Sequence, residues 1–423
     1  MTRAILLGVL GFVTCAVRSG AQPTYAKEVS RIFQAKCQGC HRDGDIAPFA
    51  LKDYDTAVLW AGDIRRAVSD RSMPPWKPVP GHGEFRDSYA LSDDERQTIL
   101  DWIENGMPAG DASDMPDPLP DKGEWPLGAP DAVLSMTQEY TPPIGSDVYR
   151  CFVLPTTFDA TRYLSAIDVT PGNRQIVHHV LLFADTKGTA DRLDGQDGQP
   201  GYTCFGGPGI PLALNSSLGG WAPGQRTHFL PDGIGIEWPK NSKIVMQVHY
   251  FPNGRTGPDQ TRIGLYFSKA DIQQRLFMIP ILNATFTIPP GAEKYEVKAE
   301  FPVIPFLDGK VIWVYPHMHL LGREINLEVT DRFGETRPMI YENNWDFNWQ
   351  GAYTYADPLA VKSGSTIKLT CTYNNSDSNL KNPNNPVAPV SWGERTTDEM
   401  CLAFLGVTLD YEKLLPLRKV SGR

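Results

Sequence analysis

From Val148 to Leu409 the chain returns again and again to one pattern, a short apolar run rich in Val, Ile, Tyr and Phe closed by Gly, Pro, Asn or Asp. VYRCFVLP, YLSAIDVTP, QIVHHVLLFA and KIVMQVHYF come first; YEVKAEFPV, VIWVYPHMHLL, INLEVT, STIKLTCTY and CLAFLGVTL follow. Runs of this length between turn residues read as strands. So many of them predict β-sandwiches, and the length of the stretch predicts two. The strand pattern is interrupted at SKADIQQRL, which places the first sandwich at 131–272 and the second at 273–423.

The chain before them reads differently. YAKEVSRIF has apolar residues at helical spacing, and Asp55 to Ser69 is a second candidate helix. Ser92-Asp93-Asp94-Glu95 is a capping box, followed by Ile99, Trp102 and Ile103 on one face and by Gly106 as a stop. An all-α domain is therefore expected over 22–110. Pro116, Pro118, Pro120, Pro126 and Pro130 then fall among aspartates and glycines, the composition of a stiff linker over 111–130. At the N-terminus, Arg3, the apolar AILLGVLGFVTCAV and Ser19-Gly20-Ala21 have the anatomy of a secretory signal over 1–21. Cys15 opens a lipoprotein alternative, although Thr14 stands where a small residue is usual. No other segment reaches the roughly 18 apolar residues of a membrane span. The mature chain is expected to be exported, periplasmic or secreted, where disulfides persist. A formal net charge of -9 argues against a nucleic-acid partner.

Cys37-Gln38-Gly39-Cys40-His41 is the pentapeptide of c-type haem attachment: two thiols for the haem vinyls and a histidine for the iron. A redox cysteine pair does not need His41, and no second CxxC completes a zinc site. For the sixth ligand, Met73 in SMPPW is the first choice, with His82 and Met107 as rivals. The segment 22–110 resembles a small class I cytochrome c, which implies one covalently bound haem c.

Of the eight histidines, five lie in strand-like runs: His178, His179, His249, His317 and His319. His317 and His319 stand at i and i+2, so a strand presents both on one face as a two-point chelate. His178 and His179 are adjacent, and a regular strand aims them at opposite faces unless it twists or bulges there. No Asp or Glu lies within four residues of His178, His249 or His317, which disfavours a zinc hydrolase with a nearby general base. Imidazole suits copper, and a thioether tilts a site toward Cu(I); Met400 in TTDEMCLAFLG is a candidate donor, a core methionine being the plainer alternative.

QIVHHVLLFA, GWAPGQ with PDGIGIEW, IVMQVHYF, YPHMHLLGREI and DEMCLAF, in this order over 129–410, resemble the type II copper, ascorbate-dependent monooxygenases. The resemblance implies two jelly-roll-like sandwiches, each with one copper, facing across a solvent-filled cleft. It implies that His178, His179 and His249 hold an electron-supplying copper, and that His317, His319 and Met400 hold the copper that binds O₂ and hydroxylates substrate. It also implies a Cys371–Cys401 bridge beside the methionine; Cys151 and Cys204 remain as a further candidate pair in the first sandwich. Peptide-hydroxylating members anchor a carboxylate with an Arg two residues before the first His of HxH, and with Asn and Tyr after the Met. Here those positions are Tyr315, Leu402 and Phe404, which points to a small apolar or aromatic substrate. The implied co-reactants are O₂ and an external electron donor, an ascorbate-like reductant or a redox protein, with the haem as a relay. The reading from another class is an exported haem and copper electron-transfer or copper-binding protein without oxygenase activity.

Overall fold

The computed structural model describes residues 22–43, 47–120, 123–155, 158–223, 225, 227–251, 254–305 and 307–414. The expected export signal over 1–21 lies outside the described residues. The chain divides into two compact units. One is helical and holds the described residues of 1–43, 49–74 and 90–119. The other is β-rich and holds the described residues of 44–48, 75–89 and 120–423.

In the helical unit a π-helical turn over Tyr25–Val29 runs on into the α-helix Ser30–Lys36. The expected second helix is two, Tyr54–Leu59 and Ala61–Ser69, with Trp60 between them outside helical geometry. Asp93–Glu104 starts at the Ser92–Glu95 capping box and is followed by Gly106 at φ 82, where the missing Cβ allows the left-handed stop. Tyr25, Phe33, Ile99 and Trp102 close its core.

The β-rich unit is built of sheets in pairs. In the first sandwich one sheet runs, edge to edge, Tyr202–Thr203, Val148–Leu154, Lys243–Tyr250, Val177–Asp185 and Ser217–Trp221. It packs on a five-stranded partner around Leu164, Val180, Leu182, Met246 and Ile263. In the second, Phe277–Asn283, Cys401–Leu409, Gly309–His317 and Tyr353–Val361 form one sheet. Its partner is Ala292–Pro302, Thr366–Asn375, Gly322–Thr330 and Thr336–Glu342, with Val314, Ile325, Leu327 and Leu369 in the core.

Two features depart from expectation. Residues 75–89 leave the helical fold and lie along the second sandwich: Pro78 bridges Glu342, Phe85 bridges Tyr355, and the Arg86 amide donates to Thr354 O. Their prolines cannot continue a helix, and Tyr353–Val361 is an edge strand with backbone groups to satisfy. The second departure is the bridge implied by the resemblance. Cys371 and Cys401 are buried thiols in hydrogen-bonding contact, and Cys401 also donates to Val297 O at 3.7 Å. The disulfide that does form is Cys151–Cys204, closing a 53-residue separation. Among the described residues no helix is long and apolar enough to cross a membrane.

Candidate metal centres

His178 and His179 occupy one strand, and His249 sits directly opposite His179 on the next. The register slips between Val177 and His179, so His178 is the extra residue of a bulge. A bulge re-aims a side chain that regular alternation would send to the far face. The result is that His178 Nδ1 lies 3.3 Å from His179 Nδ1 and 3.3 Å from His249 Nδ1. Donors held about 2.0–2.1 Å from one tetrahedral ion stand ~3.3 Å apart, so the three nitrogens fit a shared metal. Burial pushes the His178 imidazole down to about 4 and those of His179 and His249 well below their usual range, which keeps the lone pairs free at neutral pH.

His249 is fixed from behind. Its Nε2 donates to Asp147 Oδ1 at 2.8 Å, leaving Nδ1 for the cluster. Asp147 also accepts from the Thr396 amide at 3.1 Å and the Thr396 hydroxyl at 2.7 Å. The Tyr149 ring stacks on His249 with centroids 4.1 Å apart and planes 8° apart. A carboxylate on the outer nitrogen of a ligand histidine sets its tautomer and orientation.

The second group forms where Gly309–His317 ends. The rings of His317 and His319 are 5.1 Å apart. His317 Nδ1 bonds Gln350 Oε1 at 2.6 Å, and Gln350 is oriented by its own bond from Nε2 to Phe347 O at 2.9 Å. His319 Nδ1 donates to Asp398 O at 3.0 Å. A proton on Nδ1 makes Nε2 the lone-pair nitrogen of each ring, and burial lowers them to about 3 for His317 and about 4 for His319, although a further backbone bond to Arg395 opposes the fall at His319. Leu402 pairs with His317 at the end of the ladder, and just beyond it the amides of His319 and the buried Met400 both donate to Glu399 Oε2. Glu399 ties the two segments together: it accepts from the amides of His319, Leu321 and Met400 at 2.9, 2.6 and 3.2 Å.

The two groups do not face a wide cleft. His179 and His317 rings are 6.3 Å apart, and the buried Phe347 ring stacks on His178 at 4.6 Å while standing edge-on to His319 at 5.9 Å. Aromatic packing by Phe347 and Phe251, whose rings are 5.6 Å apart, fills the space the resemblance assigns to solvent. Beside the second group lies a largely apolar cavity of about 130 Å³, lined among others by Trp221, Phe229, Met278, Trp313, Tyr315 and Phe404. Tyr315 and Phe404 stack at 6.2 Å, and the Tyr315 ring is 6.2 Å from His317.

Of the residues expected to carry haem, Cys37 packs against the helical core and Cys40 lies in the turn after it. His41 donates Nδ1–H to Phe49 O at 3.0 Å and keeps Nε2 free. Met73 is 40% exposed. The rival Met107 packs on the helical core, and His82 lies against Tyr341 in the β-rich unit. Asp147, Gln350, Phe347 and Tyr149 carried no signal in the sequence, because they reach the histidines only through tertiary contact; Glu399 was adjacent to a motif and went unread.

Three imidazoles converge on the first sandwich and two lie together on the second, near a cavity that reaches Tyr315; imidazole donors of this kind suit a redox-capable metal ion. Residues 276–411 match the family described as Copper type II ascorbate-dependent monooxygenase, C-terminal domain. Putative DBH-like monooxygenase protein 2 of Homo sapiens is 24% identical over 285 residues, covering 62% of this chain and 54% of that protein. DBH-like monooxygenase protein 1 of Homo sapiens is 24% identical over 258 residues, with 55% and 39% covered. Dopamine beta-hydroxylase of Canis lupus familiaris is 22% identical over 259 residues, with 56% and 38% covered. The chain spans about half the length of the first of these relatives, or less for the others. Together the matches support the copper type II monooxygenase family.

Proposed function

We propose that the protein is an exported copper-dependent monooxygenase that hydroxylates a C–H bond of a small apolar or aromatic substrate with O₂. The balance is RH + O₂ + 2 e⁻ + 2 H⁺ giving ROH + H₂O. Copper held by His178, His179 and His249, and a second copper held by His317, His319 and Met400, would supply one-electron redox chemistry and O₂ activation. The chain's own residues set the stage. Asp147 keeps the outer proton on His249, and Gln350 and the Asp398 carbonyl keep the Nδ1 protons on His317 and His319. Each ring therefore offers one defined nitrogen. Phe347 packs its buried ring on His178 and His319, which would keep water from between the clusters. The cavity lined in part by Tyr315 and Phe404 would take the substrate; at about 130 Å³ it is slightly smaller than the apolar cavity of about 150 Å³ that holds benzene, which limits a substrate to about one small ring.

The observation that carries this reading is the cavity's position: it is largely apolar and reaches Tyr315, whose ring is 6.2 Å from His317. We further propose that Cys37, Cys40 and His41 bind haem c with Met73 as sixth ligand, on the helical unit within 22–110 from which 75–89 departs, joined through 111–130 to sandwiches at 131–272 and 273–423. The free Nε2 of His41 suits an iron ligand. The haem would pass single electrons from an external donor to the first centre.

The test uses copper-loaded, haem-replete protein with ascorbate and a panel of phenols, alkylbenzenes and small amines. O₂ uptake that depends on an apolar ring compound, with hydroxylated product, is the expected result. Copper binding and haem turnover without substrate-dependent O₂ uptake would instead leave an electron carrier. The near contact of the two histidine groups gives that second reading its support, since it suits electron passage as well as catalysis. If the haem stays reduced in stopped flow while both coppers turn over, its relay role fails.

A further inference from the structure

A second hollow, of about 620 Å³, opens on the other side of the first histidine cluster. Its lining includes Ile144, Asp147, Tyr149, Arg150, Thr203 and Phe205. Two of these, Asp147 and Tyr149, touch His249 directly. The rings form a continuous series from solvent inward: Phe205 is 51% exposed and sits edge-on to Tyr149 at 5.6 Å, and Tyr149 stacks on His249 at 4.1 Å. Tyr149 is held in that pose by its hydroxyl, which donates to Glu394 O at 2.7 Å. Ile144, 63% exposed, adds a second apolar surface at the rim. Solvent-facing aromatic and aliphatic groups around a concavity mark a binding site more often than a bare surface.

We propose that this hollow docks a small, planar, uncharged one-electron donor of the quinol class, and that its electrons enter the His178, His179 and His249 centre through the Phe205 and Tyr149 rings. The charge inventory favours a neutral donor over an anion. Arg150 is the one cation lining the hollow among the described residues, and it is fully committed: both terminal nitrogens bond Asp197, at 2.7 and 2.8 Å, and Nε and a terminal nitrogen bond the carbonyls of Pro200 and Gly201. Asp147 and Asp197 then outnumber it. Each donor event removes one electron and one hydroxyl proton from the quinol. The proton goes to solvent, and the electron reduces the ion held by the three imidazoles. This rests on the copper reading above and gives the first centre an entry that bypasses the haem.

The experiment has two arms. On metal-free protein, saturation-transfer NMR with hydroquinone should show ring protons in contact with the parent and not with Thr203→Trp, which fills the hollow from an exposed position. On copper-loaded protein, anaerobic reduction followed by loss of the Cu(II) EPR signal should saturate with hydroquinone. Phe205→Ala, losing a stacking face, should raise the half-saturating concentration about tenfold. Reduction by dithionite should be unchanged in both variants, and so should copper content and circular dichroism. Equal hydroquinone kinetics in parent and variants, as reduction through the haem alone would give, overturns the proposal while leaving the copper reading intact. Failure of any Cu(II) signal to form overturns both.

Discussion

Replacing Asp147 tests whether the first histidine cluster is held as a ligand set. The carboxylate accepts three hydrogen bonds, from His249 Nε2 at 2.8 Å and from the Thr396 amide and hydroxyl at 3.1 and 2.7 Å. Its side chain is 13% exposed, so water replaces these bonds poorly. In Asp147→Ala the His249 ring loses the group that fixes its rotation, and Nε2–H and the Thr396 amide lose their acceptor. Removing an outer partner of a ligand histidine lowers metal affinity about 10–100-fold, or ~1.4–2.8 kcal/mol. The metal-free protein should also lose about 2–4 kcal/mol, the cost of stranding two donors in a nearly buried site. Asp147→Asn retains an oxygen for His249 but turns an amide toward Thr396 or away from it, so its loss should sit near about tenfold. Thr396→Val removes the 2.7 Å bond and spares the one to His249; first-centre affinity should then stay within about twofold. The assay is competition for Cu(I) against a chromophoric chelator, in a His319→Ala background that isolates the first centre. Parent-like affinity in Asp147→Ala would refute the reasoning, because the ring would then be oriented by Tyr149 stacking alone.

Three further outcomes are expected. Glu399→Ala strands the amides of His319, Leu321 and Met400 in a fully buried position; the cost is about 3 kcal/mol or more, read as a lower Tm of metal-free protein, and Glu399→Gln should recover part of it. Burial pushes the Glu342 carboxyl from 4.5 up to about 8, against the pull of Tyr353 and Lys77. Between those values the folded carboxyl holds a proton that the unfolded chain has released, so this group's own contribution to stability falls as pH rises through that window, opposite in sign to the contribution of the five cluster histidines, whose lowered values favour the folded chain as pH rises toward 6.5. The stability difference between parent and Glu342→Gln should therefore change by on the order of a few kcal/mol between urea titrations at either end of the window; a difference independent of pH would count against a buried acid there. Reducing Cys151–Cys204, or changing both to Ser, reopens a 53-residue loop and should cost about 4 kcal/mol on the chain-entropy estimate, visible in the same denaturant assay.

The sequence by itself determined the local structure and the donors. The near-continuous apolar run in VYRCFVLP gives a strand buried on both faces, alternation in INLEVT gives one with a single buried face, and Ser92 with Glu95 sets a helix start through two hydrogen bonds made within four residues. Tyr353–Val361 was not legible, since Pro358 and Asp357 break its pattern; it tolerates them as an edge strand. The ligand residue types were likewise written in HH and HMH. What only the tertiary structure decided is where those groups aim. The bulge at His178 depends on the register with Lys243–Tyr250, and the Asp147 bond to His249 joins residues 102 apart. The approach of the two histidine groups, His179 to His317 directly and His178 to His319 by way of Phe347, depends on how the two sandwiches pack. Such contacts follow from the packing of whole sheets, whose geometry no local stretch of chain encodes.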